Sequence, residues 1–285
     1  MIRSTLLMCL SILFFAAPLA AEELTGTLAQ IKKNGEIKIG YRAAEPPMSF
    51  MDTDKKPAGY SIDICDAITE AVEKKIGSDI KVKYIPVTAE GRFKALTDNK
   101  IDILCGSTTK TLARSEIVDF TQLTFVTGAS FMMSGQNSAR TKGFNGKKIG
   151  VIRDSTTFDA LQQLLKETET QAEIVLFNSA KAGADALRKK KIDAFSADQI
   201  VLIGILLAEQ NSGDFVLDSN VFSFEPFALA VRRNDADFRL VADREISSLY
   251  RSKEIVKIYE KWIGKHTGQS PMIFQALIKL NATPE

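Results

Sequence analysis

The sequence is poorest in the residues from which catalytic and metal centres are built. Only one of its 285 residues is histidine, His266, and only three are cysteine. No H-E-x-x-H, G-x-S-x-G or G-x-G-x-x-G motif occurs, and no Cys/His cluster has the spacing of a zinc site. A Ser-His-Asp or Cys-His arrangement would need His266, which lies far from every predicted strand end. We therefore expect neither a hydrolytic nor a redox enzyme, and neither a cofactor nor a metal.

An excess of one charge sign is also missing. The 37 basic and 35 acidic residues leave a formal net charge of +2. Nucleic-acid binding depends on clustered basic side chains, so we expect no nucleic acid as a partner. The basic run at residues 189–191 follows a predicted helix and is typical of a solvated helix end.

Long apolar runs are absent except at the start of the chain. Arg3 is followed by an apolar stretch at residues 6–15 and then by small residues up to Ala21. This order is typical of a secretory signal peptide, and a run of this length is too short for a membrane span. We predict a signal peptide over residues 1–21, cleaved after Ala20 or Ala21, and a soluble mature protein in the periplasm.

Cleavage would leave two of the three cysteines, Cys65 and Cys105, because Cys9 lies in the apolar stretch. Export brings them into an oxidising compartment, where a disulfide is one interpretation. Two small buried side chains without a bond are the other.

Hydrophobic periodicity predicts two similar halves. Strands at residues 36–41, 79–87 and 101–105 alternate with helices at 61–75 and 90–99. The same order returns with strands at 147–152, 172–177 and 192–196 and helices at 156–166, 180–190 and 199–210. Alternation of this kind favours parallel sheets flanked by helices. The predicted fold is α/β, with two Rossmann-like lobes.

Two apolar stretches, 125–134 and 226–232, are predicted to carry the chain from one lobe to the other and back, as two hinge strands. The resulting domains are 22–130 with 231–265 for lobe 1, 131–230 for lobe 2, and a C-terminal tail helix within 266–285. Ligands of open α/β sheets bind beyond the carboxyl ends of the strands, so a cleft between the lobes is the expected site.

Cationic and hydroxyl side chains collect at the predicted strand ends of lobe 1. Arg42 ends the first strand, Arg92 opens a helix, Ser107 and Thr109 follow the third strand, and Arg114 comes five residues later. Guanidinium groups bind carboxylates in bidentate fashion, and hydroxyls add donors. An isolated arginine at a strand end is more often part of a surface ion pair, so the prediction of an anion site depends on the whole group.

Lobe 2 offers complementary groups. Residues 154–157 (DSTT) precede a helix, whose free N–H groups favour an anion, and Asp198 ends a strand, where its carboxylate is suited to an ammonium group. Helix capping is the alternative explanation for Asp154, Ser155 and Asp198. Taken together, the two lobes supply charges for both ends of a zwitterion.

Several motifs carry a resemblance to a known family. They are GYSID at 59–63, IPVT at 85–88 with Arg92, CGSTT at 105–109, and Arg114 with DFT at 119–121. Over residues 24–265 the chain resembles the amino-acid class of bacterial extracellular solute-binding proteins, which have the type-II periplasmic binding fold. Within that class it is most similar to the glutamate/aspartate-binding proteins of ABC transporters.

The resemblance implies eight ligand-binding residues: Arg42, Phe50, Arg92, Ser107, Thr109, Arg114, Thr156 and Asp198. It implies that Arg114 holds the solute's α-carboxylate, helped by Ser107, Thr109 and Thr156. Asp198 would take the α-ammonium, Arg42 and Arg92 the side-chain carboxylate, and Phe50 would pack against the solute. The implied partners are an acidic amino acid and a permease in the inner membrane, and the implied state is a monomer that is not an enzyme.

Two departures from the family pattern concern the side-chain end of the solute. Members can carry a histidine there, whereas this chain has only His266, and a hydroxyl residue often precedes Arg92 where this chain has Ala89 and Glu90. Two alternatives also stay open. One is a cyclohexadienyl dehydratase-like enzyme on the same fold, with Glu90 as the acid, and the other is a ligand sensor module.

Overall fold

The computed structural model describes residues 23–134, 143–208, 215–264 and 270–285. The predicted signal peptide, His266 and the end of the predicted 199–210 helix lie outside the described residues. Among those that are described, no helix has the length and apolar character that a membrane span requires.

The first part of the chain alternates helices and strands as the periodicity predicts. Its elements are α1 (Gly26–Asn34), β1 (Glu36–Tyr41), β2 (Ala44–Glu45), β3 (Ser49–Met51), β4 (Pro57–Ala58), α2 (Tyr60–Ile76), β5 (Lys81–Pro86), α3 (Arg92–Thr97), β6 (Ile103–Cys105), α4 (Leu112–Ser115) and β7 (Val118–Thr127).

The second part repeats the alternation and then returns to the first. Its elements are β8 (Ala129–Ser134), β9 (Lys148–Ile152), α5 (Thr156–Glu167), β10 (Glu173–Phe177), α6 (Ala180–Arg188), β11 (Ala194–Asp198), α7 (Gln199–Ala208), β12 (Phe215–Leu217), β13 (Glu225–Arg232), α8 (Ala236–Ser252), α9 (Glu254–Tyr259), a π-helix (Glu260–Gly264) and α10 (Met272–Leu280).

The strands form two five-stranded sheets of the same design, and a small antiparallel sheet of β2, β3 and β4. The first sheet has the order β5-β1-β6-β13-β7 and the second β10-β9-β11-β8-β12. In each, three parallel strands are continued by two antiparallel ones. The predicted α/β fold with two sheets is confirmed.

The crossing between the sheets differs in detail from the expectation. The stretch 125–134 is not one strand, because β7 ends in the first sheet and β8 begins in the second, with Gly128 between them. A Cβ at Gly128 would lie 2.4 Å from the carbonyl oxygen of Ser223, so the outgoing and returning chains touch there. The side chain of Ser223 also accepts a hydrogen bond from the amide of Ala129 at 3.0 Å.

The returning strand β13 pairs along its whole length with β7, from Glu225 opposite Thr127 to Arg232 opposite Val118. Residues 225–230, which we assigned to lobe 2, therefore lie in the first sheet. The chain crosses back before residue 225 rather than along β13 itself.

Two features fasten the outer elements of lobe 1. Cys65 of α2 and Cys105 at the end of β6 form a disulfide with a Cα–Cα distance of 6.4 Å, so the disulfide interpretation is confirmed. In the tail, α10 buries Phe274, which stacks on Tyr259 with ring centroids 4.1 Å apart and also contacts Phe125. The tail helix thus docks on the first lobe.

Candidate functional site

A cavity lies between the two lobes, at the carboxyl ends of β1, β6, β9 and β11. Its lining comes from both lobes: Arg42, Glu45, Ala89, Arg92, Ser107, Thr109 and Arg114 from the first, and Ile152, Ser155, Thr156, Thr157, Ser196, Ala197, Asp198 and Val201 from the second. Seven of the eight ligand-binding residues that we predicted are in this set, and Phe50 is not. Glu90 is solvent-exposed and does not line the cavity either.

Phe50 belongs to the packing of the first lobe and to a neighbouring groove. Its ring meets that of Trp262 edge to face, with centroids 5.6 Å apart. The Trp262 indole in turn donates to the carboxylate of Asp63 at 2.7 Å. Phe50 lines that neighbouring groove rather than the charged cavity.

Arg42 is held in place by the turn that follows β1. Its amide donates to the Ser49 hydroxyl at 2.9 Å, and its guanidinium forms an ion pair with Glu45 at 2.6 Å. A Cβ on Gly106 would come within 2.9 Å of the Arg42 side chain, so the glycine lets that side chain lie close to the β6 end. The hydroxyl of Ser107 donates to Glu45 as well.

Arg92 and Arg114 differ from Arg42 because no carboxylate among the described residues lies within ion-pair distance of either. Arg92 donates to the carbonyl oxygens of Ala89 and, at 3.2 Å across the cleft, Asp154, while its buried Nε has no hydrogen-bond partner in the described chain. Arg114 donates to the carbonyl of Thr109 at 2.8 Å.

Burial shifts the pKa of both guanidinium groups. It lowers the pKa of Arg92 to about 9, and the neighbouring Arg114 and Arg42 add to that effect. It also lowers the pKa of Arg114, against the influence of Glu225 and Asp198. Among the described residues, neither guanidinium forms the direct ion pair with a carboxylate that buried cations normally have.

The second lobe supplies hydroxyls from the start of α5. Ser155 is the N-cap of this helix, and its hydroxyl accepts from the amide of Phe158 at 3.1 Å, so the capping explanation holds for Ser155. Thr156 and Thr157 follow in the first turn and face the cavity. The Thr156 hydroxyl lies 3.2 Å from that of Thr109 in the first lobe.

Asp198 ends β11 and lies half-buried in the lining of the cavity. The Thr157 hydroxyl donates to it over 3.5 Å. Burial raises the pKa of Asp198 well above its usual range, and Glu225 and Glu45 add to the rise while Arg114 opposes it. A cation placed beside this carboxylate would relieve that unfavourable burial.

Two acidic residues at this site were missed by sequence reasoning. Glu45 lies three residues after Arg42, and Glu225 opens β13, where its carboxylate accepts from the hydroxyls of Thr109, Thr156 and Ser223 at 2.6 Å each. Glu225 therefore connects both lobes. Little in the sequence pointed to either residue. Glu45 is an isolated acidic residue before two prolines, and Glu225 is one that precedes an apolar strand.

The described residues contain no group of three or more His, Cys, Asp or Glu side chains that is arranged to hold a metal ion. Three guanidiniums and three carboxylates meet in and around the cavity, and Arg42–Glu45 is the direct ion pair among them. The chemistry that such an arrangement supports is recognition of a small molecule that carries both charges.

Comparison with known proteins agrees with this geometry. The family model for bacterial extracellular solute-binding proteins, family 3, matches residues 37–265. The chain belongs to this family. The general role of the family, solute binding, therefore applies to this chain. Membership of the family does not by itself specify the solute.

Two relatives are similar over most of their length. An L-glutamate/L-aspartate-binding protein of Pseudomonas aeruginosa is 33% identical over 252 residues, which cover 87% of this chain and 83% of the relative. A glutamate/aspartate import solute-binding protein of Salmonella typhimurium is 32% identical over 241 residues, with coverages of 83% and 79%.

Among solved structures, a cysteine-binding protein from Campylobacter jejuni matches with a TM-score of 0.75 at 23% identity, over 87% of this chain and 96% of that one. This likeness concerns the fold. It confirms the predicted two-lobed periplasmic binding fold for this family 3 protein.

Proposed function

We propose that this family 3 protein captures an acidic amino acid in the periplasm and delivers it to an ABC transporter permease in the inner membrane. The observation that carries the proposal is the pair of guanidiniums of Arg92, which is buried, and Arg114, which is half-buried; neither has an ion-pair carboxylate partner among the described residues. An acidic amino acid has two carboxylates to offer them. The names of both relatives support the same solute class and a binding role rather than catalysis.

The proposed arrangement follows the charges. Arg114 takes the α-carboxylate, with hydroxyl donors from Ser107, Thr109 and Thr156 around it. Asp198 takes the α-ammonium, which supplies the cation that its buried carboxylate lacks. Arg92 takes the side-chain carboxylate, and its unpartnered Nε is a donor for it.

Capture proceeds by closure of the lobes around the solute. The first lobe presents the three arginines, so the solute's carboxylates dock there first. Thr156 and Asp198 then complete the site from the second lobe, and this differential contact biases the closed state. The permease binds the closed form in this scheme.

Thermal unfolding of the mature protein with a panel of solutes tests the proposal. The panel contains aspartate, glutamate, asparagine, glutamine, arginine and cysteine, with succinate as a dicarboxylate that lacks the ammonium group. A ligand at 1,000 times its Kd stabilises by about 4 kcal/mol, which gives an easily measured rise in Tm. We expect the acidic amino acids to raise Tm and succinate to have little effect.

Protein freed of carried-over solute by unfolding and refolding is the starting material, and Arg114→Ala is the matched variant that should lose the response. A rise in Tm with arginine or cysteine alone, and none with the acidic amino acids, would refute the proposed solute class.

A further inference from the structure

Glu45 is an acidic side chain inside a cavity whose proposed solute is itself acidic. Its carboxylate lies 2.6 Å from the guanidinium of Arg42, and the two side chains are only 5% and 7% exposed. Ser107 donates to the same carboxylate. A carboxylate paired in this way offsets the charge of its guanidinium partner.

The pairing divides the three arginines of the cavity into two kinds. Arg114 serves the α-carboxylate in the proposed function, which leaves Arg42 and Arg92 for the solute's side chain. With Glu45 counted, this end of the cavity has a net charge of +1 instead of +2. Arg92 remains the one cation there without a carboxylate partner among the described residues.

The end of the cavity lined by Arg42, Glu45 and Arg92 therefore offers the solute both a hydrogen-bond donor and a hydrogen-bond acceptor. A guanidinium only donates and a carboxylate only accepts, whereas a side-chain carboxamide does both through its NH₂ group and its oxygen. Arg92 supplies the donor and Glu45 the acceptor. A carboxylate side chain gains from Arg92 but is repelled by Glu45.

We propose that Glu45 is a specificity-determining residue, whose negative charge lowers the preference of the site for side-chain carboxylates over side-chain carboxamides. This inference rests on the proposed function, because it concerns the same cavity and the same amino-acid solutes. In this scheme the charge of Arg42 is offset by Glu45 and does not serve the solute.

Titration calorimetry at pH 7 measures the effect as the ratio of Kd values, amide over acid, for the pairs asparagine/aspartate and glutamine/glutamate. Glu45→Gln keeps the shape of the side chain and removes its charge, which leaves Arg42 uncompensated. We expect the ratio to rise about tenfold, equivalent to about 1.4 kcal/mol. A rise of less than fivefold overturns the proposal.

Two further variants separate charge from shape. Arg42→Gln leaves Glu45 uncompensated and is expected to shift the ratio in the opposite direction, so it decides the question if Glu45→Gln does not fold. The double variant Arg42→Gln/Glu45→Gln restores a net charge of zero for the pair and is expected to return the ratio to within fivefold of wild type. A double variant that behaves like Glu45→Gln contradicts a charge-based role.

Glu70→Gln is the control, because Glu70 is exposed on α2 and changes the net charge of the protein by the same amount. It should leave the ratio unchanged. If the wild-type protein binds neither acids nor amides, the proposed function itself fails. If it binds them and the ratio does not move in any variant, only the role of Glu45 is wrong.

Discussion

At the scale of single residues, Asp198 is a group of the cavity whose charge state should respond to a bound solute. Its pKa is raised by burial and by Glu225 and Glu45. The folded state thus holds this proton to a higher pH than the unfolded chain does, and the stability that Asp198 contributes is lost as pH rises through the folded pKa. A solute ammonium favours the carboxylate form and lowers the pKa again.

Binding should therefore release a proton from Asp198, and affinity should rise with pH until the pH exceeds the raised pKa. Calorimetry between pH 5 and 8, in buffers with different ionisation enthalpies, measures that release. The pKa of Arg92, about 9, lies above this range. Asp198→Asn should abolish the release, and an unchanged proton count in that variant would remove Asp198 from the ammonium site.

At the scale of elements, helix α7 of the second lobe touches the first lobe through a glycine. A Cβ on Gly204 would lie 2.0 Å from the carbonyl oxygen of Pro46 and 2.3 Å from its carbonyl carbon. Backbone atoms of a loop between β2 and β3 cannot move aside as a flexible side chain can. The contact joins the two lobes, and we expect it to form as they close.

Gly204→Ala should therefore hinder closure without harming the second lobe itself, because alanine favours a helix by up to about 1 kcal/mol relative to glycine. We expect affinity for the solute to fall at least about tenfold, and small-angle scattering to show a smaller decrease in radius of gyration on solute addition. Leu207→Ala, a change at an exposed residue of the same helix, is the control. Wild-type affinity and compaction in Gly204→Ala would exclude a tight contact at this point.

Elements were predicted from the sequence better than the contacts between them. The alternation of strands and helices follows from local periodicity, and it was enough to predict two α/β lobes and a rim of arginines. The stretch 125–134 is largely apolar, and Gly128 was the sign in the sequence that it is divided between two sheets. Likewise, the family resemblance implied that Phe50 packs against the solute, and nothing local in the sequence pointed to its partner Trp262, which is more than 200 residues away in the chain.

Glu45 and Glu225 escaped prediction for a related reason. Glu225 acts through hydroxyls on both lobes, and its hydrogen bonds to Thr109 and Thr156 span 116 and 69 residues. Glu45 is close to Arg42 in sequence, yet a three-residue spacing outside a helix does not indicate an ion pair. Such pairs depend on the turn after β1, which periodicity does not describe.

At the scale of the whole molecule, both lobes follow one design, and only the first carries a disulfide among the described residues. The Cys65–Cys105 bond links α2 to the end of β6, immediately before the loop that contains Ser107 and Thr109. It therefore ties a structural helix to the loop that lines the cavity. The second lobe holds its corresponding strands by packing around Phe195 and Leu187.

Removal of the bond should destabilise the protein mainly through the unfolded chain. A cross-link between residues 40 apart removes loop-closure entropy worth about 4 kcal/mol at 25 °C in the chain-entropy description. We expect urea unfolding of solute-free protein to give a free energy of unfolding that is lower by about this amount when dithiothreitol is present. Both cysteines are buried, so the reductant acts as the chain unfolds.

The double variant Cys65→Ala/Cys105→Ala serves as the control, because its unfolding should not respond to the reductant and should match that of the reduced wild-type protein apart from the small cavities left by two sulfur atoms. Since the bond lies in the first lobe, the loss should appear in the transition reported by Trp262, which packs on Phe50 in that lobe. A Trp262 transition with the same midpoint with and without dithiothreitol would mean that the bond adds nothing to the stability of the lobe that presents the arginines.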